Sequence, residues 1–148
     1  MVISRADCCD REALKRLKAR YCYGIDQQDW TLWRDHVFAP DASLTVPSTG
    51  KAVAGVEAII AWVTDQWVDK VSVHRALMPD LEIQSSTTAR GRWAMDDRLY
   101  QRSAPGQPYE LLLHGMGYYD ETYVRLDCGW RILTTKLIRQ HVEHAPQR

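Results

Sequence analysis

Apolar positions in the first part of the chain recur at helical spacing. Leu14, Leu17, Tyr21 and Ile25 fall at i, i+3, i+7 and i+11 and draw one apolar stripe, with Arg11, Lys15, Lys18 and Arg20 on other faces. Asp10 is placed to cap this helix, which should fade around residues 26–28. Asp29 can cap a second, shorter helix from Trp30 to about Val37, and Ala39-Pro40-Asp41 should break the chain. Residues 42–46 alternate as a short strand, closed by Pro47-Ser48-Thr49-Gly50. After Gly55, the positions Val56, Ile59, Ile60, Trp62 and Val63 restore the helical period. Beyond them the period becomes two. Four long strands are predicted over residues 71–83, 87–100, 109–126 and 130–142. Pro79 marks a bulge or exposed edge in the first, and Asp127-Cys128-Gly129 a hairpin turn before the last.

The order is therefore helix, helix, strand, helix, then four strands joined by hairpin-length connections. Helices gathered ahead of a largely antiparallel sheet define an α+β domain rather than a parallel α/β one. Long strands must twist and curl, and the helices can cover the concave side. The expected architecture is a cone-shaped α+β barrel with three helices on a strongly curved, mostly antiparallel sheet. It is one domain over residues 1–148 with a core from about 10 to 142, and a small-molecule cavity falls between helices and sheet.

Composition narrows the function. Lys plus Arg total 19 and Asp plus Glu total 19, so the chain lacks the cationic excess that nucleic-acid binding requires. Hydrophobic residues at 45% and charged residues at 26% are those of a folded globular domain. No apolar run is long enough for a membrane span, and Met1-Val-Ile-Ser-Arg-Ala-Asp7 has no apolar leader core, so a cytoplasmic location is expected. The cysteines Cys8, Cys9, Cys22 and Cys128 show no metal-ligand spacing with the histidines, and no HExxH, GxSxG or phosphate-loop motif is present. No metal and no organic cofactor are expected.

Strand parity picks out charged residues among apolar ones. Asp97 shares a face with Gly91, Trp93, Met95 and Leu99; Arg139 shares one with Leu133, Thr135 and Leu137. Buried charges are rare unless paired, so these two should meet each other or a ligand. His74 lies on the face opposite Val71, Val73 and Leu77. Taken alone, it reads as a structural histidine, Asp26 as a helix-end carboxylate in water, and Tyr21 as core with its hydroxyl at the edge. His114 shares parity with Met116 and Tyr118, and the three are expected to line the same cavity.

Several stretches resemble a known family. Ala19-Arg-Tyr-Cys-Tyr-Gly-Ile-Asp-Gln-Gln-Asp-Trp30, Ser72-Val-His-Arg75 and Gly117-Tyr-Tyr-Asp-Glu-Thr-Tyr-Val-Arg125 with Gly129-Trp-Arg-Ile132 resemble the SnoaL-like branch of the nuclear transport factor 2 superfamily, which includes scytalone dehydratases. Thr87-Thr-Ala-Arg-Gly-Arg-Trp-Ala-Met-Asp-Asp-Arg-Leu99 and Ile138-Arg139 are similar to the bile acid 7α-dehydratases of that branch. The similarity runs from about Glu12 to His144. It departs in the loop 101–109 and at Ala76-Leu77, where those enzymes carry a second histidine.

The resemblance implies an active site. Tyr21, Asp26 and His74 fall on catalytic positions, and Asp97 and Arg139 on further active-site positions. The implied activity is a cofactor-independent dehydratase. Neutral His74 would take a proton beside a carbonyl, Asp26 would fix its tautomer, and Tyr21 would support the enolate oxygen. The substrate would be a hydroxylated cyclic ketone or enone of steroid or polyketide type, held by Trp93, Met95, Asp97, His114, Met116 and Arg139. An anionic tail on it could meet Arg139. A double-bond isomerase and a non-catalytic binding domain are the alternatives. Homo-oligomers, dimer or trimer, are also implied, with no nucleic-acid or membrane partner.

Overall fold

The computed structural model describes residues 4–146, so Met1–Ile3 of the amino-terminal stretch lie outside the described residues. Helix α1 spans Arg5–Gln27 and starts earlier than the apolar stripe suggests. Its cap is Ser4, whose side chain accepts from the Asp7 amide while Asp7 accepts in return, a reciprocal capping box. Asp10 is not the cap. It is buried mid-helix and accepts hydrogen bonds from Arg125 Nη2 at 2.6 Å and Trp130 Nε1 at 3.1 Å. The first turns carry no apolar stripe, so periodicity alone could not place their start. Gln28 closes the helix in the left-handed conformation, with φ 55°.

The second helix is a single α turn, α2 (Trp30–Leu32), capped by Asp29 and continued by a π turn over Trp33–Val37. Strand β1 (Phe38–Val46) then runs through Ala39-Pro40-Asp41, where a break was expected. The ladder to the last strand shifts register between Phe38 and Ser43, and proline is tolerated in such an irregular stretch because no ladder amide is required of it. A four-residue strand, β2 (Lys51–Ala54), pairs antiparallel with β1. Lys-Ala-Val-Ala is too short and too weakly patterned to be read as a strand. Helix α3 (Val56–Gln66) buries Val56, Ile59, Ile60 and Val63.

The four long strands are β3 (Lys70–Ile83), β4 (Thr88–Gln101), β5 (Glu110–Leu126) and β6 (Gly129–His144). All are antiparallel to their sequence neighbours, and β6 also pairs parallel with β1. The order β2-β1-β6-β5-β4-β3 makes one curved, unclosed six-stranded sheet with helices on its inner face. The expected bulge at Pro79 is present: register shifts between Leu77 and Asp80, with Met78 at φ 47°.

Two ion pairs pin α1 to the sheet, one fully buried and one between buried Asp10 and an exposed arginine. Lys18 Nζ lies 2.6 Å from Glu121 Oε1 and rests on the faces of Tyr21 and Tyr119. Glu121 also accepts from Tyr123 and Thr135, so the carboxylate is satisfied from several sides. Asp10 and Arg125 make the second pair. With α1 sealing this end of the inner face, the open space lies at the other end, under α3 and the π turn.

Candidate active site

That space is a cavity of about 290 Å³. Tyr21, Ile25, Trp33, Leu44, Val46, Val63, Trp67, Leu99, Leu112, Leu113, Tyr119 and Leu137 wall it, His74, Asp97 and Arg139 project charged or titratable groups into it, and Lys70 lies at its rim. Four elements bring these together. Asp26 comes from the last turn of α1, His74 from β3, Asp97 from β4 and Arg139 from β6.

Period-two geometry puts Ser72 and His74 on the inner face of β3, and both reach Asp26. Asp26 Oδ1 lies 2.7 Å from His74 Nδ1 and accepts from Ser72 Oγ at 2.9 Å; Oδ2 accepts from the His74 backbone amide at 2.9 Å. Trp67 Nε1 donates to Ser72 Oγ at 3.1 Å, and its ring stacks on the imidazole. A carboxylate can only accept, so Nδ1 carries a proton, and in the neutral ring Nε2 is then the nitrogen with the lone pair.

His74 pairs directly with Asp97 across the β3–β4 ladder, and Nε2 lies 3.7 Å from Asp97 Oδ2. Asp97 in turn accepts two hydrogen bonds from Arg139, 2.7 Å from Nη1 to Oδ1 and 2.6 Å from Nη2 to Oδ2. This bidentate geometry is the strongest form of the pair. Burial alone would lower the affinity of Arg139 for its proton, but the bonds and charge of Asp97, with nearby Tyr119 and Tyr21, more than offset it. Tyr21 stacks on Trp33 and meets Tyr119 edge-on. Burial, and then the charge of Glu121, raises its phenol far above the ordinary range, while a hydrogen bond from Tyr119 acts the other way. Tyr21 is therefore a neutral hydroxyl.

Strand parity for Asp97 and Arg139 agrees with the structure, and Tyr21, Asp26 and His74 gather with them. Four other expected site residues lie elsewhere. Trp93 and Met95 face inward, but in the core. Trp93 donates to the Tyr123 hydroxyl at 2.9 Å, at the end of the sheet that α1 closes. His114 and Met116 are on the outer face. They pair with Arg98 and Asp96, whereas Asp97 pairs with Gly115, and His114 Nε2 sits 3.1 Å from Asp96. The inner positions of β5 here are Gly115 and Gly117, which have no side chain to mark the face, so the apolar alternation pointed to the wrong side.

The sequence reading also missed contributors. Ser72 holds Asp26 and is itself held by Trp67, Tyr119 backs Tyr21, and Gly115 leaves room for the Arg139–Asp97 pair. Glycine in a strand interior signals close approach of another group, and two of them flanking Met116 carried that signal.

An apolar cavity that closes over a carboxylate–imidazole pair and a neutral phenol defines a class of small-molecule-handling α+β domains. A family model described as a SnoaL-like domain matches residues 6–136, and the chain belongs to that family. Solved structures share the fold at low identity. The Kfla4162 protein from Kribbella flavida aligns with TM-score 0.81 and 22% identity over 91% of this chain and 93% of that one. A protein provisionally described as a scytalone dehydratase from Novosphingobium aromaticivorans aligns with TM-score 0.76 and 18% identity over 96% and 91%. Hexachlorocyclohexane dehydrochlorinase LinA-type3 from Novosphingobium barchaimii aligns with TM-score 0.74 and 18% identity over 93% and 91%. Among the described residues, no group of His, Cys, Asp and Glu forms a metal cluster, and no helix is long and apolar enough to cross a membrane.

Proposed function

We propose that the protein is a cofactor-independent lyase that removes water from a hydroxylated cyclic ketone or enone of steroid or polyketide type. The observation that carries this reading is the Asp26–His74 pair at 2.7 Å inside an apolar cavity. His74 Nε2 takes the proton on the carbon beside the carbonyl, and the electron pair passes to the carbonyl oxygen. Tyr21 donates a hydrogen bond to that oxygen as its charge develops. The imidazolium then returns the same proton to the departing hydroxyl. Water leaves, a carbon–carbon double bond forms, and His74 is again neutral. Asp26 supports the imidazolium while it exists. Solved dehydratase-like and dehydrochlorinase folds support the class of chemistry, elimination beside a removable proton.

The test is a spectrophotometric assay with hydroxy-enones of one to four rings. Dehydration extends conjugation and moves the absorbance to longer wavelength. Product with a shifted double bond but no loss of water would replace dehydratase by isomerase, and saturable binding without product would leave a carrier. We also propose that the chain self-associates. The outer face of β3 exposes Val71, Val73 and Leu77, with Arg75 among them, while His74 faces inward, a largely apolar face on an edge strand. Sedimentation at micromolar concentration should give a dimer or trimer; a monomer would remove this part.

A further inference from the structure

His74 stands between two carboxylates. Asp26 holds Nδ1, and Asp97 presents Oδ2 3.7 Å from Nε2, the atom that must be free to act as a base. Anions on both edges of an imidazole favour the imidazolium, and an imidazolium accepts no proton. Asp97 is only 1% exposed, so water does little to screen it. The compensating charge is Arg139, which closes on Asp97 through both terminal nitrogens. Gly115, on the strand between them, makes this contact feasible. A Cβ there would lie 1.6 Å from Arg139 Nη1 and 2.4 Å from Asp97 Oδ1.

The other titratable groups around His74 do not change this balance. From α1, burial pushes the Cys22 thiol up to about 11, and Tyr21 is raised further, so both are neutral near pH 7. From β5, Tyr119 is raised by burial as well. At the start of β3, Lys70 lines the cavity rim but turns its Nζ to the Gln66 carbonyl at 2.7 Å. Asp26 and the Asp97–Arg139 pair remain.

We propose that Arg139 is a positioning residue that acts through Asp97, cancelling its charge so that His74 Nε2 stays unprotonated and basic near neutral pH, in the space Gly115 leaves open. This rests on His74 being the base of the proposed reaction. It departs from a substrate-anion role for Arg139, because the terminal nitrogens already serve Asp97.

The experiment is a nitrogen-detected NMR titration of the His74 ring in the full chain, without substrate. It compares the wild type with Arg139→Gln, Asp97→Asn and the double variant. Arg139→Gln uncovers a carboxylate and should move the imidazole titration to higher pH by about one unit or more. Asp97→Asn leaves an unmatched guanidinium and should move it to lower pH. The double variant should return close to wild type. Where Arg139→Gln does not fold, the opposite displacement in Asp97→Asn and its reversal in the double variant carry the test. Shifts of the same sign in the single variants, no shift in Asp97→Asn, or a double variant that keeps a single variant's shift would overturn the proposal. No turnover is read, so failure of the dehydration assay and failure of this inference are separate results.

Discussion

At the scale of single residues, the site assigns different tasks to groups of ordinary chemistry. His74 is positioned by two bonds to Asp26, which Ser72 holds in turn, rather than by its own strand alone. His74→Ala should lower kcat by roughly 10²–10⁴-fold, the usual contribution of a positioned general base, with the melting temperature nearly kept. A steady-state assay and a thermal melt on the same sample check both. Tyr21→Phe keeps the ring between Trp33, Phe38 and Tyr119 and removes only the hydroxyl. It should lower kcat by about 10²-fold with KM little changed, since an oxyanion donor acts in the transition state. A rise in KM with kcat unchanged would mean that Tyr21 binds substrate instead. Ser72→Ala removes one of the supports of Asp26, and Ser72→Thr should recover most of the lost rate by restoring the hydroxyl.

At the scale of elements, the active groups depend on how α1 is fastened to the sheet. Lys18 and Glu121 form a fully buried pair, so removing one charge strands the other. Lys18→Met should cost about 3–5 kcal/mol in chemical denaturation, whereas Lys18→Met with Glu121→Leu should cost much less. The double variant still leaves Thr135 and Tyr123 without their acceptor, so some loss will remain. Strand β5 is shaped by absent side chains. A Cβ at Gly117 would lie 2.0 Å from the Ile138 carbonyl, where β6 carries its extra residue. Gly117→Ala should therefore destabilise the β5–β6 hairpin by roughly 1–3 kcal/mol, the cost of overpacking a tight site. Burial was legible here on β4 and β6, where charged residues stood out against apolar neighbours. It was not legible on β5, because glycine leaves no mark in a hydrophobic pattern.

At the scale of the whole molecule, burial of phenols links stability to alkaline pH. Tyr21, Tyr119 and Tyr123 are all raised, in each case first by burial. In the unfolded chain they ionise near the ordinary value of about 10. Above that pH the unfolded state binds fewer protons than the folded one, so stability falls as pH rises. Below it the contribution is present in full. Alkaline titration should show tyrosinate absorbance from these three rings appearing together with loss of circular dichroism, above about pH 10. Ionisation of all seven tyrosines ahead of unfolding would contradict the burial.

The order of elements apart from β2, the period-two faces of β4 and β6, and the inward Asp97 and Arg139 were all determined by local chemistry, because helical and strand periods are properties of short segments. Local chemistry also showed that Asp26 lies near a helix end and that His74 opposes an apolar row. Only the tertiary structure decided that these residues meet. The contacts between Asp26 and His74, and between Asp97 and Arg139, join positions 48 and 42 apart in the chain. Such contacts are set by strand order, by bulges that shift register, and by where α1 seals the inner face. The same long-range geometry sent Trp93 and Met95 into the core and turned His114 and Met116 outward. A side chain's period tells which face it takes; what that face meets depends on elements packed against it from elsewhere in the chain.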